Sequence, residues 1–216
     1  MFNVGDKVVY PMHGAGTIES IEEKDILGEK QSYYIIKMPG EVKVMVPTAK
    51  AEGIGVRDVI NEETAGKVFK VLTTDSTEMS MNWNKRYRDN MEKMKSGDAY
   101  EIADVVRNLS FKQKEKGLST GEKKMLLNAK QILISELTLA KNAKKEDIEE
   151  LVNDTINISF AEYNKIDKNA PKDSTVKQFI PFSAVSSDGL DSENGVAGGV
   201  NNNFIPFTSP TDTTNE

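Results

Sequence analysis

The chain has no cysteine, one histidine, one tryptophan and no long apolar run. Without cysteine there are no disulfides, no thiol nucleophile and no thiolate-bound zinc, which fits a reducing cytoplasm. The lone His13 sits in a turn beside Gly14 and Gly16. A catalytic imidazole needs a nucleophile to activate or a group to orient it, and the sequence offers no such pairing. The phosphate-cradling glycine patterns are absent too, and His13-Gly14-Ala15-Gly16 is too short to be one. The carboxylates are plentiful but scattered, with no metal-loop spacing. No catalytic residue, metal ligand or cofactor is therefore expected, and the chain does not read as an enzyme. No apolar run approaches the roughly 20 residues that cross a bilayer. The N-terminus lacks the basic-then-apolar signal pattern. A soluble cytoplasmic protein without a membrane partner is expected.

What is present is an uneven charge. The whole chain carries -6. Residues 67–145, however, hold 17 Lys+Arg against 10 Asp+Glu, while residues 1–66 hold 7 against 11. Residues 146–157 hold five acids and no base. A basic block between acidic ones is the electrostatic footprint of an anionic partner, although a solvated lysine-rich helical face gives the same composition.

The first sixty residues read as short strands. Lys7–Tyr10, Gly16–Glu22, Ser32–Lys37 and Val42–Pro47 alternate or are rich in β-branched and aromatic residues, with glycine and proline between them. This pattern predicts a small barrel. From Asn61 the apolar period becomes helical: Ala65, Val68, Phe69 and Leu72, then Trp83, Tyr87, Met91 and Met94, then Ile102, Val105, Val106 and Leu109. Ser119-Thr120-Gly121-Glu122 is a capping box that opens a long helix. A last helix carries Ile148, Leu151, Val152 and Ile156. The expectation is an α+β chain: a small β-barrel domain over 1–60, an all-α domain over 61–157, and a disordered tail over 158–216. The tail holds one repeat, Phe179–Phe182 recurring as Phe204–Phe207 (Phe-Ile-Pro-Phe, then Ser or Thr), which resembles a docking motif for an unknown partner.

Trp83 is the sharpest residue. It lies in Asn82-Trp83-Asn84-Lys85-Arg86-Tyr87-Arg88, among amides and bases. Its helical stripe with Tyr87 and Met91 favours burial; its setting favours contact with nucleic acid. Lys85 and Arg88 share a helix face, and Arg86 projects elsewhere. Lys123 and Lys124 follow the capping box near a helix N-terminus, where free N–H groups also attract phosphate. Lys112, Lys114 and Lys116 are placed in the loop before it.

Val4-Gly5-Asp6-Lys7-Val8-Val9-Tyr10-Pro11-Met12-His13-Gly14-Ala15-Gly16 resembles the opening of the CarD/CdnL/TRCF family. Asn82–Tyr87 and Lys116–Leu126 resemble the helical half of CarD proteins, in the same order and spacing. The resemblance implies a Tudor-like barrel that docks on the β subunit of bacterial RNA polymerase. It also implies a helical domain that touches promoter DNA at the upstream edge of the bubble and stabilises the open complex. Trp83 is then a minor-groove wedge, with Lys85, Arg88 and Lys123 on the backbone; Arg86 and Lys124, their neighbours in sequence, complete the expected DNA-binding set. Lys24 and the strand Met45-Val46-Pro47 would face polymerase. Some members carry arginine where this chain has Met45, which points to a more apolar contact or to main-chain strand pairing. A monomer, nucleoid-associated through polymerase, is expected. The rival reading is a Tudor-like interaction adaptor with no DNA contact.

Overall fold

The computed structural model describes residues 1–26 and 28–167. Five strands, β1 (Lys7–Tyr10), β2 (Gly14–Ile26), β3 (Glu29–Lys37), β4 (Lys43–Pro47) and β5 (Arg57–Asp58), form one antiparallel sheet in the order β4-β3-β2-β1-β5. A 3-10 turn (Thr48–Lys50) and a one-turn helix α1 (Ala51–Ile54) fall between the last two strands. Then come α2 (Glu62–Thr73), α3 (Trp83–Ser96), α4 (Ala99–Glu115), α5 (Thr120–Lys141) and α6 (Lys145–Asp167). The architecture is α+β, as the change of period at Asn61 predicts.

The sheet packs its own small core of Val8, Ile18, Tyr34, Ile36 and Val46. A larger core gathers Leu72, Met94, Ile102, Leu109, Leu133 and Val152 from five helices. The two are joined through α5. Gly14 has φ +99, and a Cβ there would stand 2.5 Å from Ser135 Oγ, so only glycine lets the strand come this close. The Ala15 N–H donates to the same Ser135 Oγ at 2.8 Å. One residue on, the Glu136 carboxylate is fully buried and takes a two-pronged bond from Arg57, at 2.6 and 2.9 Å. Arg57 also donates to the Gly97 carbonyl at the end of α3. Sheet, α3 and α5 are pinned at one point.

Two expectations change here. Lys112 and Lys114 belong to the last turns of α4, not to a loop. The last helix does not end at 157 but runs on to Asp167. Its extension is held by aromatic contacts, Phe111 to Phe160 at 5.2 Å and Phe111 to Tyr163 at 5.7 Å. The disorder expected further along and the Phe179–Phe182 and Phe204–Phe207 repeats lie outside the described residues.

Candidate nucleic-acid interface

Asn82 caps α3 by accepting the Lys85 N–H, which makes Trp83 the first helical residue. No preceding turn covers the indole, and it stays 45% exposed. The burial favoured by periodicity is overturned. Tyr87, one turn on, stacks against it with ring centres 5.5 Å apart. The indole lies across the start of α5: its Nε1–H donates to Ser119 Oγ at 3.1 Å, and Gly121 lies beneath both rings. This contact sets the first turn of α5, with Lys123 and Lys124, beside the first turns of α3, with Lys85 and Arg88.

The capping box holds the two helices in register. Ser119 Oγ accepts the Glu122 N–H, and the Glu122 carboxylate accepts the Ser119 N–H in return. That carboxylate is only 2% exposed. Its other oxygen accepts from Arg86 Nε at 2.8 Å and Lys112 Nζ at 2.7 Å. Burial alone would raise its pKa. Lys112, the Ser119 N–H and Arg86 outweigh that and hold it at about 2. A carboxyl with a folded pKa below its unfolded 4.5 stabilises the fold in full above pH 4.5 and stops doing so as pH falls toward 2. Acid melting of wild type should therefore steepen between pH 4.5 and 2, by a few kcal/mol from this group. Glu122→Gln should lack that component in a melting series against pH.

Arg86 is thus withdrawn from the expected contact set. It is 8% exposed, and its guanidinium is spent on Glu122 and on the Ser80 and Met81 carbonyls. By contrast, the side chains of Lys85, Arg88, Lys123 and Lys124 are exposed and make no ion pair among the described residues. The fold neutralises the buried Glu122 carboxylate with Arg86 and Lys112 and leaves Lys85, Arg88, Lys123 and Lys124 exposed on the two helices whose first turns meet at the indole.

The polymerase-facing candidates lie on the sheet. Strand β4 is an edge strand, paired to β3 alone. The register puts Met45 opposite Ile35, Pro47 opposite Tyr33 and Lys24 opposite Gln31, all on one face. Met45 is 50% exposed, and Lys24 pairs with Glu22 at 2.9 Å. Val46 points the other way into the sheet core, so it can offer a partner only its backbone. His13 stacks on Tyr10 at 4.4 Å. Among the described residues no group of His, Asp and Glu converges to hold a metal ion. No described helix is long and apolar enough to cross a membrane.

Residues 2–60 match the CarD-like/TRCF RID domain, and residues 67–153 match the CarD C-terminal domain. The chain is also 43% identical over 149 residues to YdeB of Bacillus subtilis (strain 168), described as a candidate transcription factor. That alignment covers 68% of this chain and 97% of the relative. The chain belongs to the CarD-like family. Within this CarD-like chain, sequence patterning assigns Ser119 and Gly121 only to a helix cap and counts Lys112 among the basic residues before it, whereas Lys112 is bonded to the buried Glu122. The capping box was the available signal, but nothing in it tells that its serine also meets a tryptophan 36 residues earlier.

Proposed function

We propose that this CarD-like protein is a transcription regulator that binds the β subunit of RNA polymerase through its sheet and promoter DNA through the α3–α5 corner. The open edge of β4, with Met45 and Pro47 on its outer face and Lys24 on the same face of the sheet two strands away in β2, is the polymerase contact; an edge strand suits strand addition. Once docked, the corner faces promoter DNA at an effective concentration of order mM, so weak intrinsic DNA affinity suffices. Lys85, Arg88, Lys123 and Lys124 lie along phosphates, and Trp83 enters the minor groove as an apolar wedge. Unstacking at a wedge costs least where the duplex is already distorted, as at the upstream edge of the bubble. Preferential binding to the open state then shifts the equilibrium by the difference in affinity, about 1–3 kcal/mol.

The exposed indole, where two helix starts carrying four exposed cations meet, supports this reading best; none of the four makes an ion pair among the described residues. Trp83→Ala should shorten open-complex lifetime on the order of tenfold, the equivalent of about 1.4 kcal/mol, and leave polymerase binding unchanged. A mutant with wild-type lifetime would leave the adaptor reading standing, in which the chain makes no DNA contact.

A further inference from the structure

Ser119 has a hydroxyl with one hydrogen to give and two lone pairs. All three are in use. It donates to Glu122 Oε2 at 2.9 Å and accepts from the Glu122 N–H at 3.3 Å and from Trp83 Nε1 at 3.1 Å. The Glu122 carboxylate is equally full, with Arg86 and Lys112 on one oxygen and the Ser119 N–H and hydroxyl on the other. A hydroxyl fixed on two sides by its own helix cap is a rigid acceptor for the third partner. The indole is held at that edge by Ser119 and on its ring face by Tyr87, while Gly121 leaves room for both rings.

We propose that the α5 capping box is a latch for Trp83, with Ser119 as the positioning residue. This inference rests on the DNA reading of Trp83 and adds two consequences. First, the indole meets DNA already ordered, so binding does not have to freeze an exposed side chain. Second, its N–H is spent on Ser119 and is not free to donate to a base edge. The wedge therefore offers DNA an apolar surface with no hydrogen-bond readout, which suits a factor acting at many promoter sequences.

The chain has one tryptophan, so all its tryptophan fluorescence comes from this indole. The test uses the full chain. Glycine is tolerated at a helix N-cap, so Ser119→Gly removes the hydroxyl while α5 persists, and Ser119→Thr restores it. Ser119→Gly should shift emission to the red and lower the anisotropy, and Ser119→Thr should match wild type. Binding to a forked DNA duplex should weaken about three- to tenfold in Ser119→Gly, the range expected for having to order one long side chain on binding. In unmodified protein, the single indole N–H should exchange with water more slowly than that of free tryptophan. Unchanged fluorescence in Ser119→Gly, or free exchange in the unmodified chain, overturns the latch. A loosened indole with unchanged DNA affinity overturns the positioning role. Failure of Ser119→Gly to fold leaves the exchange measurement to decide. A wild-type chain that ignores forked DNA defeats the DNA reading itself, while fluorescence and exchange still judge the latch.

Discussion

Glu122→Ala is expected to cost about 3–5 kcal/mol, a large share of the roughly 5–15 kcal/mol that holds a domain together. Three losses coincide. Arg86 keeps its buried place with its charge unanswered. Lys112 loses its only carboxylate partner among the described residues. The capping box loses the acceptor for the Ser119 N–H. Glu122→Gln is expected to fall between, since an amide oxygen still accepts but carries no charge to set against two cations. Chemical denaturation with a helix-sensitive probe reads both. Equal midpoints for wild type and Glu122→Ala would mean that Arg86 and Lys112 find water readily, and that the network is far less enclosed than its burial indicates.

Glu136→Ala is expected to cost about 2–4 kcal/mol, less than Glu122→Ala because its partner Arg57 is partly open to water. Its consequence is different in kind. Glu136 accepts from Arg57 and from the Ile60 N–H, so its loss unpins β5 and the chain entering α2 from α5. The sheet keeps its own core, and the helices keep theirs. Polymerase binding should then survive while the effect on open-complex lifetime falls, because the tether has become loose. Measuring both in the same variant checks this. Loss of polymerase binding alongside lifetime would mean that the sheet does not hold its shape without α5.

Much of this was legible in the sequence, and the misses have physical causes. The capping box at Ser119-Thr120-Gly121-Glu122 depends on four adjacent residues, and it stands as read. Four strands and the helical period from Asn61 are local patterns too. Strand β5 was missed because two residues carry no period; Arg57 and Asp58 become a strand only by pairing with Val9 and Val8. The end of α6 was missed because Asn and Asp residues mask an apolar stripe of Ile156, Phe160 and Tyr163, whose meaning depends on Phe111 far away in the chain. Trp83 shares the period of a buried stripe, but as the first residue of its helix it has no turn above it. Arg86 has the local company of a DNA contact, and only the arrival of Glu122, 36 residues later, turns it inward. Residues whose role is set by neighbours in sequence were readable; those set by a distant charge or a helix end were not.

Helix α5 carries the indole's anchor at one end and the sheet's anchors, Ser135 and Glu136, sixteen to seventeen residues further on. At about 1.5 Å per residue these stand about 24 Å apart on one stiff rod. Under the proposed function, α5 is a ruler between polymerase and the bubble edge. Trp83 itself rides on α3, whose far end is tied to the same anchor through Gly97 and Arg57, so two parallel struts set one span of about seven base-pair steps. Changing the length of one strut without the other would break the Trp83–Ser119 contact rather than move the site of wedging.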